Sequence, residues 1–289
     1  MFNYTATSAI AAILFASANA ASGVFDYSEL GAEWGEDVPL CKYGQEQSPI
    51  DLSVKGASGS DKMELNGFGY RDYVQRTVKR TDHTIVVDAT EGEFELNFFD
   101  GSQSAFVPLQ FHFHSPSEHT VNGKNYDLEL HVVHKYKDTT ASLGAVIGIF
   151  FDRAEGGDYD NDFITSLKFG DTEKGDTGIK ASNVNLASLL STVDMRKYWN
   201  YRGSLTTPPC TEGIKWTVLE KVQPISGAQL EAFAQYFALD ADYAGGNGNN
   251  REVQPLLERT LYYSAAESSA TNLMTVFASM ALVAAASLF

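Results

Sequence analysis

The sequence predicts a single mostly-β domain of α+β type with short helices. Two observations carry this. Short β-prone runs recur along the chain at 70–78, 83–87, 94–99, 105–114, 128–136, 145–151 and 214–222, with turn residues between them. The 289 residues, 44% hydrophobic and 12% aromatic, suffice for one large core, and no repeat or low-complexity linker divides them.

Asp100-Gly101 and Asn122-Gly123 supply turns. The charged, glycine-containing stretch 170–180 reads as a surface loop, and 245–250 (GGNGNN) as another. One helix is well signalled. Ser226 and Gln229 make a capping box, Ile225 can staple to Leu230, and Leu230, Phe233, Ala234 and Phe237 form one apolar stripe.

Lys and Arg number 21 against 37 Asp and Glu, a net charge of −16. A chain this acidic lacks the cationic surface that nucleic-acid binding needs, and anionic membrane surfaces repel it. A small anion would need a local positive centre, such as a metal, to be attracted.

Both ends read as targeting segments. Residues 1–20 carry no charge, and their apolar stretch is followed by Ala18-Asn19-Ala20, the pattern of a secretory signal. Residues 273–289 are apolar to the chain end. Upstream lie Ser264-Ala265-Ala266 and a short polar spacer, which suits a GPI-anchor signal or a retained membrane anchor. The expected layout is a signal at 1–20, a folded domain at 21–263 and a tail at 264–289. The mature protein then acts outside the cell or at its surface, or in a plastid lumen, and meets a membrane only through its tail. Cys41 and Cys210 suit one disulfide in that setting, or two buried thiols.

Five of the six histidines fall within residues 112–134. Strand alternation puts His112, His114 and Gln110 on one face, with Phe111 and Phe113 on the other. On the second run Glu129, His131 and Val133 share a face, and His134 points away. If the two strands pair, His112, His114 and His131 converge. Zinc favours such nitrogen ligands, and a catalytic zinc keeps its fourth position open. Gln110 and Glu129 each stand two residues before a ligand, where partners that fix its tautomer are expected.

Several motifs occur in one order: Gln47-Ser48-Pro49-Ile50-Asp51-Leu52, the run 111–134, Tyr198-Trp199, Gly203-Ser204-Leu205-Thr206-Thr207-Pro208-Pro209, Asn249-Asn250-Arg251 and Gln254-Pro255-Leu256. Over about residues 24–263 the chain resembles the secreted α-class carbonic anhydrases. The resemblance implies a large, twisted, predominantly antiparallel sheet of ten strands. It implies Zn2+ on His112, His114 and His131, and reversible hydration of carbon dioxide to bicarbonate and a proton by zinc-bound hydroxide. Thr206 matches the residue that accepts a hydrogen bond from that hydroxide, and Glu118 the carboxylate that accepts from Thr206. Val133, Val146, Leu205, Ile214 and Trp216 match the apolar wall for carbon dioxide, and Thr207 a second contact for bicarbonate. His83 matches the proton shuttle and Tyr27 a tyrosine that orders water. His119 and His134 are implied to be structural, and Cys41 and Cys210 to be bonded. A binding module and a zinc hydrolase of activated esters are the competing readings on this fold. Oligomeric state is left open.

Overall fold

The computed structural model describes residues 25–59, 63–66, 69–81, 83–89, 91–138, 143–168, 179–238 and 248–265. The signal segment and the tail beyond Ala265 lie outside them, as do 170–178 of the first loop and 245–247 of the second.

The strands are β1 (Asp51–Leu52), β2 (Glu64–Asn66), β3 (Tyr73–Arg80), β4 (Ile85–Asp88), β5 (Phe94–Asn97), β6 (Gln103–His114), β7 (Thr120–Val121), β8 (Leu128–Tyr136), β9 (Leu143–Phe151), β10 (Ile179–Val184), β11 (Lys197–Ser204), β12 (Glu212–Gln223) and β13 (Tyr262–Ala265). Four α-helices accompany them among the described residues, α1 (Pro39–Tyr43), α2 (Asp162–Leu167), α3 (Leu186–Thr192) and α4 (Gly227–Ala238), with a 3-10 turn at Glu33–Gly35. The capping box of α4 forms as expected, with Gln229 N donating to Ser226 Oγ at 3.2 Å and Ser226 N to Gln229 Oε1 at 3.3 Å.

The main sheet has eleven strands rather than ten, in the order β10-β3-β4-β6-β8-β9-β12-β11-β13, with β5 also on β6 and β2 on β5. The 12-residue β6 is long enough for this: β4 pairs with it at Gln110–His112 and β5 at Gln103–Phe106. The pairing is antiparallel except between β9 and β12, which run parallel. A separate parallel pair joins β1 to β7. Two expectations need correction. Ile179 and Lys180 open β10 instead of closing a loop, because they pair with Val78 and Thr77. β13 runs past the boundary drawn at 263, since Ser264 and Ala265 pair with Tyr198 and Lys197.

Each face of the sheet buries its own core. Phe111, Phe113, Leu130, Val132, Ile147 and Ile149 belong to the larger one, all but inaccessible to solvent. Full burial is worth about 1.5–3 kcal/mol per such side chain. The opposite face carries His112, His114 and His131 and a smaller aromatic core around Trp199, Tyr201 and Trp216. Alternation along β6 therefore splits its residues between core and site. Cys41, in α1, is bonded to Cys210, 169 residues on.

Candidate metal centre

The β6–β8 register sets His112 directly opposite His131, two residue pairs from His114 opposite Glu129, with Phe113 opposite Leu130 between them. His112, His114 and His131 each offer a ring nitrogen within 4.8 Å of the others. The second nitrogen of each ring is already engaged. His112 Nδ1 meets Gln110 Oε1 at 2.9 Å, and His114 Nδ1 meets the Asn249 carbonyl at 2.7 Å. His131 Nε2 meets Glu129 Oε1 at 2.9 Å. These contacts turn the free nitrogens inward, which a metal site requires.

Burial, and then the neighbouring imidazoles, push His114 down to about 3 and His112 well below the usual imidazole range. Burial lowers His131 as well. All three rings are thus neutral, the form that binds a metal. His114 Nε2 is buried with no hydrogen-bond partner among the described residues, 3.4 Å from the buried Glu118 Oε2. An orphan of this kind is rare in a finished interior, and a cation with nitrogen ligands would satisfy it. The donor set therefore fits zinc.

Glu129 is held from four sides. Its Oε2 accepts from the N–H groups of Glu118 and His119, both at 2.9 Å. Its Oε1 meets His119 Nδ1 at 2.7 Å as well as His131. Burial alone pushes this carboxyl up, but the two imidazoles and their hydrogen bonds outweigh it and hold it below the usual carboxylate range. His119 is committed on both nitrogens, to Glu129 and, at 2.6 Å, to the Tyr201 hydroxyl. The cluster His119, Glu129 and His131 is therefore a hydrogen-bond network rather than a second metal site. Gly148 makes room for it, since it stands opposite His131 and a β-carbon there would lie 2.9 Å from Glu129 Oε1. His134, on the other face, is buried against Phe94 and bonds the Tyr70 hydroxyl.

Beside the triad, the Arg251 N–H donates to Glu118 Oε1 at 3.0 Å. Burial pushes the Glu118 carboxyl well above the usual range, against the pull of the Thr206 side chain and that N–H. Val133, Val146, Ile214 and Trp216 are buried on the histidine face with Leu205 packed against them. The register explains this grouping, because Gln110, Val133, Val146, Trp216 and Tyr201 fall in one row across five strands. Thr207 sits partly buried in the turn after β11, its carbonyl accepting from Cys210 N–H at 2.8 Å. His83 precedes β4, whose Val86 pairs with His112. Phe25 stacks on its ring at 3.9 Å, and the buried Tyr27 meets it edge-on at 6.3 Å.

The sequence model of the eukaryotic-type carbonic anhydrases matches residues 30–265, most of the chain. The chain belongs to this family. This carbonic anhydrase is 35% identical to alpha carbonic anhydrase 4 of Arabidopsis thaliana, over 82% of the chain and 83% of that protein. The α-carbonic anhydrase of Thermovibrio ammonificans, solved with the inhibitor sulfanilamide, superposes with a TM-score of 0.67 at 32% identity, over 84% of this chain and all of that one. A halotolerant carbonic anhydrase from Dunaliella salina gives 0.69 at 30% identity, over 85% and 99%.

Two partners in this carbonic anhydrase escaped sequence reasoning, the Asn249 carbonyl on His114 and the Arg251 N–H on Glu118. Both are backbone groups, so their own side chains do not advertise them; the signal was the Asn249-Asn250-Arg251 motif. The Arg251 guanidinium is buried, and bonds Gln47 Oε1 at 3.0 Å, Ser48 O at 2.7 Å and Cys41 O at 2.6 Å. It thereby knits the Gln47-Ser48 motif and the disulfide to the site. Glu129→Gln, which puts an amide where four donors converge, is expected to weaken metal binding about 10- to 100-fold. Equilibrium competition with a chelator measures this; unchanged affinity would remove Glu129 from the account.

Proposed function

We propose that this carbonic anhydrase holds one zinc ion on His112, His114 and His131 and hydrates carbon dioxide reversibly to bicarbonate and a proton. The observation that carries the reading is the set of three neutral imidazoles whose outer nitrogens are all committed elsewhere. Bound zinc supplies the positive charge that lowers the pKa of a water to about 7, the reference figure for this very family.

The chain's own residues then do the following. The Thr206 hydroxyl donates to Glu118, so its oxygen can only accept, which orients an incoming hydroxyl and prefers a protonated anion. Val133, Val146, Leu205, Ile214 and Trp216 give carbon dioxide a dry surface, since a linear apolar molecule offers little to hydrogen-bond. Thr207 adds a polar contact for bicarbonate. His83 carries the proton outward, an exchange suited to an imidazole at physiological pH. Tyr27 orders the water between.

A disulfide persists in oxidising compartments, which supports the secretory pathway or an organelle lumen. On this reading residues 1–20 are a cleaved signal and the segment after Ala265 a GPI-anchor signal or a retained membrane anchor. No helix among the described residues is long and apolar enough to cross a membrane.

Stopped-flow carbon dioxide hydration by the metal-loaded, metal-stripped and reloaded protein tests the assignment. Activity that follows zinc content supports it. Full activity in stripped protein, or hydrolysis of activated esters without hydration, overturns it. Thr206→Val, which keeps the shape and removes the hydroxyl, is expected to lower kcat/KM about 10- to 100-fold with zinc retained; an unchanged kcat/KM would contradict its role.

A further inference from the structure

The Asn249 side chain has no part in the reading above, yet it is fully buried and every polar atom of this residue is used on the site's framework. Its N–H donates to Ser115 O at 3.2 Å, and its carbonyl accepts from His114. Its Oδ1 accepts from Ser115 N at 2.8 Å. Its Nδ2 donates to two carbonyls, Phe113 O at 2.9 Å and His83 O at 2.7 Å. One carboxamide thus joins the peptide between two zinc-binding histidines to the backbone of His83.

Two neighbours reinforce the junction. Gly248, at φ +101°, lets the chain lie against the end of β6, where a β-carbon would come within 2.2 Å of Ser115 O. Thr84 grips the same peptide, its hydroxyl donating to Phe113 O at 2.5 Å and accepting from Phe113 N at 3.1 Å. His83 is therefore tied at its own carbonyl and through the next residue to the strand segment that bears His112 and His114.

We propose that Asn249 is a positioning residue whose carboxamide fixes His83 at a working distance from the metal centre, so that proton export depends on it. This rests on the reading of His83 as the proton shuttle. The amide is needed in kind, because both hydrogens of its NH2 face carbonyl oxygens and its oxygen faces an N–H. Asn249→Asp keeps the size but sets an oxygen against two oxygens.

The test uses the zinc-loaded protein and measures zinc content, kcat and kcat/KM for carbon dioxide hydration at low buffer. Asn249→Asp is expected to lower kcat about tenfold, more than it lowers kcat/KM, and added imidazole should restore kcat. In a His83→Ala background the same substitution should lower kcat no further. Thr84→Val loosens the junction without touching Asn249 and should give the same split, which Thr84→Ser repairs; it serves if Asn249→Asp does not fold. Equal losses in kcat and kcat/KM without rescue by imidazole, or an unchanged kcat, overturn the proposal. If His83→Ala alone leaves kcat intact, the shuttle reading itself fails and the proposal with it. If His83→Ala shows a rescuable loss and the Asn249 and Thr84 variants do not, only the proposal fails.

Discussion

His114→Ala is expected to lose bound zinc and carbon dioxide hydration together. Its Nε2 is buried, lacks a hydrogen-bond partner among the described residues and faces the other two rings, while its Nδ1 is fixed by the Asn249 carbonyl. Removing the ring leaves two nitrogen donors, too few for a catalytic zinc site, which takes three protein ligands. Metal analysis after a chelator wash should fall from about one zinc per chain to almost none. Hydration should fall to the uncatalysed background. His134→Ala is the matched control, on the neighbouring strand β8 and the opposite face of the sheet. It deprives Tyr70 of a hydrogen bond and should cost about 1–3 kcal/mol of stability with zinc retained. Activity in a zinc-free His114→Ala protein, or loss of zinc from His134→Ala, would contradict the arrangement.

Removing the disulfide should produce the largest loss of stability. Cys41 and Cys210 are 169 residues apart, and a loop of that length is worth about 5 kcal/mol in the chain-entropy model. At about 2–4 °C per kcal/mol for a domain of this size, the double variant Cys41→Ser, Cys210→Ser should melt about 10–20 °C lower. Activity should suffer too, because the bond anchors the turn that carries Thr206. Gln47 Nε2 donates to Cys210 O at 3.1 Å, and Arg251 bonds Cys41 O from the other side. Calorimetry of the oxidised, reduced and double-serine forms measures the effect. Equal melting temperatures would show that the long loop contributes nothing.

The triad was readable because alternation along a strand is a local rule. His112 and His114 flank a core phenylalanine, and Gln110 and Glu129 sit on the ligand face two residues before a histidine. β8 was read with its observed bounds for the same reason. β11 was missed as a strand, since its sequence KYWNYRGS mixes Lys, Asn, Arg and Gly with its aromatics and shows no clean period. The short helices α1, α2 and α3 were missed because five to seven residues are too few to display a stripe. The roles of Asn249 and Arg251 depend on contacts 133 to 210 residues away, many of them to backbone atoms, and no local pattern reports these.

The parallel junction of β9 and β12 orders the chain's assembly in time. β6, β8 and β9 follow one another closely and pair antiparallel, so all three ligand-bearing positions come together through short loop closures. β12 cannot join by a hairpin, because a parallel partner demands a crossover, here residues 152–211. Trp216, and Thr206 in the turn before β12, therefore arrive through a longer search than the β6–β8 and β8–β9 pairings need. On contact order the three imidazoles are expected to gather on the β6–β8–β9 platform before β12 completes the pocket.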